Sequence, residues 1–271
     1  MKFSNKHVWI VFSLLMTVGL GLVVSASMYS AKHYSCNTLL MDIKGDLVTS
    51  YATNEVVSET AQYVTYSNEF AKLIEQLDSS DTINAIIVDV DSYGGLPVAG
   101  EEIANALKRS QKENVAVIHS AGLSSAYWAA SGAKRIFASR NSDVGSIGVS
   151  LQLRNLVEKN KQEGIRVTSI TSGQFKGIGD PNRELTKEEK DLLQIDVDKI
   201  HDNFVNAISE NRNLPKEKVS SLATGASMLG DKALESGLVD EIGDLTQAKA
   251  YLEAKLGADV RICTPPPSST Q

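Results

Sequence analysis

The chain has few of the residues that build disulfide frameworks, metal sites and histidine-dependent catalytic centres. Of its 271 residues, only two are cysteines and four are histidines. Cys36 and Cys263 are too few for a disulfide framework or a zinc site, although an extracytoplasmic domain would allow them to form one bridge. The net charge of −6 argues against a nucleic-acid partner, which needs a basic surface. We therefore expect no metal, no cofactor and no nucleic acid.

Charge is missing from one long stretch near the N-terminus. The 24 residues from Val8 to Ala31 contain no Asp, Glu, Lys or Arg, and most of them are apolar. A helix needs about 20 such residues to cross a bilayer. Lys2 and Lys6 precede the stretch and favour a cytoplasmic N-terminus. A cleaved signal peptide is the alternative, but we expect residues 1–32 to be an uncleaved membrane anchor, with the rest of the chain outside the cytoplasm.

The rest of the chain alternates between short β-branched runs and amphipathic segments, which predicts an α/β fold with a parallel sheet. One catalytic domain over residues 36–262 is expected, followed by a disordered proline-rich tail over 263–271. The predicted strands cover 36–44, 85–90, 115–118, 135–138 and 165–170. The predicted helices include residues 70–77, 103–107, 127–129, 153–157, 186–208, 215–223 and 246–256.

Two loops in this pattern carry residues suited to nucleophilic catalysis. Ser124 follows a predicted strand and begins a helix, so its hydroxyl would stand at the strand end. A serine becomes a nucleophile only when a base takes its proton, and no histidine lies between Ser124 and His201. Lys176, in Ser172-Gly-Gln-Phe-Lys176, is the best downstream base, provided that it is neutral. The spacing therefore favours a serine–lysine hydrolase.

Each of these residues also has an ordinary structural interpretation. Ser124 or Ser125 could simply cap the helix, and Lys176 could be a solvated surface lysine. The glycines in Asp91-Ser-Tyr-Gly-Gly95 could form an ordinary strand–helix turn, or their N–H groups could hold an oxyanion. His119 is a rival base close to Ser124, but it lies within a predicted strand.

Five segments, in order, resemble the signal peptide peptidase A family of serine peptidases in its short bacterial form. They are similar to the family's Asn-Ser-Pro-Gly-Gly turn, nucleophile segment, Thr-Gly-Ser-Ile-Gly-Val signature, lysine motif and C-terminal block. Tyr93 replaces the family's proline, and Ser125 and Ala126 replace a common glycine pair. The five segments are Asp91–Gly95, Ser124–Trp128, Val144–Val149, Ser172–Lys176 and Ala233–Gly243.

The resemblance implies a role for each matching residue. Ser124 would be the nucleophile, Lys176 the general base and Ser146 the residue that orients the lysine. The N–H groups of Gly95 and Ser125 would form the oxyanion hole. The implied fold is the Clp protease–crotonase type, a β-α-β superhelix that assembles into homo-oligomeric rings, in which serine and lysine can meet across a protomer boundary.

The implied activity is that of a serine endopeptidase acting on signal peptides or other membrane-associated peptides. The implied location is the bacterial inner membrane, with a single span and the catalytic domain on the periplasmic side. Two alternatives stay open: a catalytically inactive, membrane-anchored scaffold of the same fold, and a crotonase-like acyl-CoA enzyme that would need neither Lys176 nor an anchor.

Overall fold

The computed structural model describes residues 36–50 and 63–265. The predicted anchor over residues 1–32 lies outside the described residues, as does the tail beyond residue 265. Within the described ranges, no helix combines the length and apolarity that a membrane crossing requires.

Nine strands of the described chain form a single sheet, whose main path runs β2-β1-β3-β4-β5-β8. β6 pairs with β4 and β7, and β9 pairs with β1; every pairing is parallel except that of β6 with β7. The strands are β1 (Thr38–Val48), β2 (Val64–Tyr66), β3 (Ala85–Gly95), β4 (Glu113–Leu123), β5 (Arg135–Ala138), β6 (Asp143–Gly145), β7 (Ser227–Leu229), β8 (Glu241–Ile242) and β9 (Ile262–Cys263).

Helices cover both faces of the sheet, as crossovers between parallel strands require. The helices are α1 (Ser67–Asp78), α2 (Pro97–Arg109), α3 (Ser125–Ser131), α4 (Val157–Gln162), α5 (Lys187–Arg212), α6 (Lys216–Leu222), α7 (Gly230–Ser236) and α8 (Leu245–Leu256). The larger core lies between one face and α1, α2, α3 and α5, where Trp128 stacks on Phe204 with ring centroids 4.6 Å apart. The smaller core lies under α8 on the other face, around Phe137 and Leu252.

Alternation along the strands explains this division. In β3, Ile86, Val88 and Val90 face the larger core, whereas Ala85 and Ile87 face the smaller one. Side chains of a strand point to opposite faces in turn, so a strand buried on both faces has a nearly continuous apolar run. The α/β fold and the parallel sheet expected from the sequence are therefore present.

One predicted strand is wrong. Residues 165–170 form no strand, and their apolar side chains face solvent: Ile165 is 49% exposed, Val167 52% and Ile170 95%. β-branched residues favour strands only when a neighbouring strand and a core receive them. Within the described chain, residues 165–170 pair with no strand and cover no core.

The two cysteines form a disulfide that joins the beginning of β1 to β9. Cys36 and Cys263 have Cα atoms 5.7 Å apart, and the bond links positions 227 residues apart. The pairing that the sequence left open is thus present. It fastens the last described strand to the first, next to the β1–β9 backbone pairing of Thr38 with Ile262.

Candidate active site

Ser124 lies in the turn between β4 and α3 and has an unusual backbone conformation. Its φ of +52° is in the region that L-residues rarely adopt. The turn is stabilised from two sides, because the Ser124 N–H donates to the Gly145 carbonyl at 2.8 Å and the Trp128 N–H donates to the Ser124 carbonyl at 3.0 Å. A strained residue at a strand–helix turn, overdetermined by its surroundings, is typical of a catalytic nucleophile.

The turn at the end of β3 packs directly against Ser124. A Cβ placed on Gly94 would lie 2.9 Å from the Ser124 Cβ and 3.2 Å from the Ser125 backbone nitrogen. Gly94 and Gly95 have φ values of +112° and +156°. A Cβ on Gly95 would meet the Leu47 carbonyl oxygen at 2.2 Å. Both positions therefore require glycine, and the turn reaches the serine because it has no side chains there.

The two adjacent serines have different environments. Ser125 is only 2% exposed, and its Oγ is buried without a hydrogen-bond partner among the described residues. Ser124 is half-buried and borders a cavity of about 360 Å³. A substrate entering the cavity could reach the Ser124 hydroxyl but not that of Ser125. The buried Ser125 can contribute through its backbone N–H, at the first residue of α3.

Ser146 borders the same cavity from the end of β6. Its φ is +50°, and its Oγ donates to the Gly225 carbonyl at 2.9 Å. β6 pairs with β4 over Ala121–Leu123, the residues immediately before Ser124. The strand pairing therefore brings Ser124 and Ser146 to one cavity.

Lys176 is not part of this cavity within one chain. It lies in an exposed turn where its backbone N–H donates to the Gly173 carbonyl at 3.2 Å. The structure therefore places Ser124 and Ser146 at one cavity and packs Gly94, the neighbour of Gly95, against Ser124 and Ser125, but it leaves Lys176 on the surface of the single chain. The segment that carries Lys176 also exposes large apolar side chains: Leu151, Leu153, Ile165, Val167, Ile170 and Phe175.

His119 makes its contacts outside the cavity. It contacts the Asp89 carboxylate, and Asp89 is also 3.3 Å from the Lys44 ammonium. Partial burial lowers the pKa of Lys44, but the carboxylates of Asp42 and Asp89 outweigh this effect, so that the pKa is raised overall. His119 therefore belongs to an ion network at the protein surface and does not line the cavity.

Helix α5 contributes cavity residues that the sequence did not indicate. Gln194, Asp198 and His201 line the cavity, and the His201 Nε2 donates to the Ala223 carbonyl at 3.1 Å. Their spacing of four and three residues places them on one face of a helix. That spacing was the available signal, but it is equally typical of an ordinary solvated helix face.

The first turn of α5 is stabilised by Glu189, whose carboxylate has several hydrogen-bond and ion-pair partners. Thr186 and Glu189 form a capping box, and Arg183 forms an ion pair with Glu189. The Arg183 guanidinium and the Thr186 N–H lower the pKa of Glu189 from 4.5 to about 2. Arg183 also donates to the Gly177 carbonyl at 2.6 Å, which ties the turn next to Lys176 to the helix that lines the cavity.

Comparison with known proteins decides the family. Residues 106–260 match peptidase family S49. The chain belongs to peptidase family S49. A relative from Methanocaldococcus jannaschii, provisionally named a protease, is 33% identical over 226 residues, which are 82% of this chain and 69% of that protein. The S49 assignment makes the chain a serine peptidase, as the resemblance implied.

Other S49 relatives agree with the signal peptide peptidase A assignment, which is confirmed. A protein of Enterococcus faecium, provisionally named signal peptide peptidase SppA, is 25% identical over 79% of this chain and 65% of its own length. Protease 4 of Haemophilus influenzae is 30% identical over 66% of this chain, but the match spans only 29% of that protein. This chain thus corresponds to part of a much longer relative.

Solved structures support the fold. A mutant of the 1510-N membrane-bound stomatin-specific protease superposes with a TM-score of 0.53 at 13% identity, covering 86% of this chain and 99% of that one. At this identity the likeness shows a shared α/β protease fold and nothing about substrates. A ClpP1 mutant from Listeria monocytogenes reaches a TM-score of 0.49 at 15% identity, over 78% of this chain and 93% of that one.

Proposed function

We propose that this S49 peptidase is a membrane-anchored serine endopeptidase in which Ser124 is the nucleophile and Lys176 the general base. The observation that carries the proposal is the position of Ser124. It stands at the end of β4 in a left-handed conformation, against the Gly94 turn and facing a cavity. This arrangement presents a hydroxyl, with backbone donors beside it, to an extended peptide.

In the proposed mechanism, neutral Lys176 takes the Ser124 proton while the serine oxygen attacks the scissile carbonyl. The N–H groups of Gly95 and Ser125 hold the oxyanion. Lys176 then gives its proton to the leaving amine, and the acyl-enzyme forms. Water, deprotonated by the same lysine, releases the acyl group and regenerates the serine. Loss of one oxyanion donor typically costs about 2.7–4 kcal/mol of barrier stabilisation.

We infer that Lys176 reaches Ser124 of a neighbouring copy in a homo-oligomeric ring of the Clp protease type. Two observations support this: Lys176 lies on the surface of the single chain, and the segment around it exposes six large apolar side chains. Several large apolar side chains exposed within one segment are typical of protein interaction surfaces. The Ser146 hydroxyl and the Gly225 carbonyl offer oxygen atoms at the cavity, to which the amino group of an incoming Lys176 could donate hydrogen bonds.

We also propose that the catalytic domain is extracytoplasmic and tethered by residues 1–32, with signal peptides or other membrane-associated peptides as substrates. The uncharged run supports the tether. The Cys36–Cys263 disulfide supports the compartment, because disulfides persist in oxidising environments. Blocking of free thiols before lysis, followed by mass measurement, should find both cysteines oxidised; two reduced thiols would contradict the extracytoplasmic assignment.

The decisive experiment uses the full chain in detergent micelles with fluorogenic apolar peptides. Ser124→Ala and Lys176→Ala should each abolish turnover while the oligomer keeps its size. His201→Gln should retain activity. If His201→Gln loses activity while Lys176→Ala keeps it, the general base is His201, which also lines the cavity, and not Lys176. Equal turnover in all variants would overturn the peptidase mechanism and leave the acyl-CoA or scaffold alternatives.

Subunit mixing tests the ring. Ser124→Ala and Lys176→Ala are unfolded and refolded together. If serine and lysine meet across a protomer boundary, the mixture should recover part of the activity, because some boundaries then pair an intact Ser124 with an intact Lys176. Mixed oligomers without any recovered turnover would show that the dyad forms within one chain.

A further inference from the structure

The end of β3 is out of register with β4 close to the nucleophile. Val90 pairs with Ile118, and Ser92 pairs with Gly122. Between these pairs, Asp91 alone faces the three residues His119 to Ala121. Extra residues in one strand form a bulge, and bulges beside active sites redirect the strand that carries them. This bulge ends three residues before Ser124.

The bulge also marks a change of partner for β4. Before the bulge, Val115–Ile118 pair with β5; from the last residue of the bulge onward, Ala121–Leu123 pair with β6. β6 supplies the Gly145 carbonyl that accepts the Ser124 N–H, and it leads directly into Ser146. The bulge therefore directs β4 from its pairing with β5 to its pairing with β6, and it sets the positions of Ser124 and Ser146.

Side chains hold the backbone groups that the bulge removes from the regular ladder. The Ala121 N–H donates to the Asp91 Oδ1 at 3.2 Å, and the Ser120 Oγ donates to the Asp91 Oδ2 at 3.4 Å. The Ser142 Oγ donates to the Ile118 carbonyl at 3.1 Å and also contacts the His119 carbonyl. Asp91 thus supplies the acceptor that a strand carbonyl would otherwise provide.

The end of β3 is also hydrogen-bonded to β1, its neighbour on the side opposite β4. The Ser92 Oγ donates to the Gly45 carbonyl at 2.6 Å and accepts the Gly94 N–H at 3.0 Å. The Leu96 N–H donates to the Leu47 carbonyl at 2.8 Å. The glycine turn is therefore anchored to β1, and Asp91 ties this anchored turn to Ser120 and Ala121 of the bulge, whereas Asp89 contacts the side chain of His119.

We propose that Asp91 is a positioning residue, whose carboxylate holds the β4 bulge so that Ser124 stands at working distance from the Gly94–Gly95 turn. Asp91 acts through the backbone and contacts no reacting atom. The role needs an acceptor and not a charge, so Asn, which keeps one side-chain oxygen, should replace it. The inference rests on the proposed function, because it requires Ser124 to be the nucleophile.

The test measures the rate at which a fluorophosphonate labels Ser124 in the full chain, together with kcat and KM for a peptide. Asp91→Ala should lower the labelling rate and kcat by about 10- to 100-fold with KM nearly unchanged, as expected when a nucleophile is misplaced by a fraction of an ångström. Asp91→Asn should stay near wild type. Asp42→Ala is the matched control, since Asp42 shares the sheet face but pairs with Lys44 and not with the bulge.

Each outcome decides a different question. Wild-type labelling of Asp91→Ala, or a loss in Asp91→Asn as large as in Asp91→Ala, would overturn the positioning role and leave the peptidase proposal standing. Absence of Ser124-dependent labelling in the wild type would overturn both. If Asp91→Ala does not fold, Asp91→Glu replaces it: the carboxylate is then displaced by one methylene group, and wild-type rates in that variant would overturn the role.

Discussion

At the scale of single residues, the site depends on a close approach between two turns. Ser124 and Ser146 both adopt positive φ without being glycines, and Gly94 leaves room for the first of them. An L-residue in the left-handed region costs about 1–2 kcal/mol. The surrounding hydrogen bonds of the sheet hold these conformations in place, so the strain is concentrated where the chemistry is proposed to occur.

Gly94→Ala should therefore reduce peptidase activity far more than it reduces stability. The new Cβ would lie 2.9 Å from the Ser124 Cβ, so the serine must move. We expect a loss in kcat of about 100-fold, measured with the fluorogenic peptides. Gly257→Ala is the control, because Gly257 has a φ of +63° and a Cβ added there would meet no described atom within 4 Å. It should lower the melting temperature slightly and keep full activity; equal activity in both variants would contradict the close-approach argument.

The strand-end pattern of the sequence indicated Ser124 and the glycines of the β3 end, which the parallel sheet brings together, whereas Ser146 came from the family resemblance and Lys176 lies apart from the cavity in the single chain. The pattern could not distinguish Ser124 from Ser125 without the resemblance, since both follow the same strand. Burial of the Ser125 side chain separates them in the structure. The positioning role proposed for Asp91 could not be predicted from the sequence, because a register shift in the neighbouring strand leaves no local pattern.

At the scale of elements, α5 connects the cavity to the segment that carries Lys176. Its first turn is fixed by Thr186 and by the Arg183–Glu189 ion pair. A capping box can be recognised in a sequence, because it needs only two residues at fixed spacing. The ion pair cannot, since Arg183 lies before the helix and reaches Glu189 through the fold.

The stability contributed by Glu189 should depend on pH in a defined window. Its pKa is lowered to about 2 in the folded chain from an ordinary 4.5. The contribution is therefore fully present above about pH 4.5 and is lost as the pH falls toward 2. The melting temperature of Glu189→Gln should lie below that of wild type at pH 7, with the difference disappearing near pH 2. The melting temperature of Glu188→Gln, on the exposed side of the same turn, should follow that of wild type at every pH. A difference between Glu189→Gln and wild type that does not change with pH would refute the proposed coupling between the Glu189 pKa and stability.

The incorrect prediction of a strand at residues 165–170 is also explained at the scale of elements. The β-branched residues of this segment are typical of a strand, but strand formation requires a partner edge and a surface to cover. A single sequence contains no information about which edges are already occupied. The capping box, by contrast, is complete within four residues.

At the scale of the whole molecule, the exposed apolar segment predicts assembly. Ile170 is 95% exposed, which favours burial against another copy. Ile170→Glu should reduce the oligomer to smaller species in sedimentation velocity and lower activity in parallel, whereas Ile170→Leu should preserve both. A charged variant with unchanged size would exclude Ile170 from the interface, and a shift to monomers with full activity would contradict a dyad shared between copies.

The disulfide between Cys36 and Cys263 also has a mechanical consequence. It closes the polypeptide into a covalent loop that contains every helix and strand of the described residues. A cellular machine that degrades proteins by drawing one linear strand through a narrow pore would meet two strands at that bond. Reduction must therefore precede such threading, so in an oxidising compartment the bond would protect this peptidase from turnover from either end.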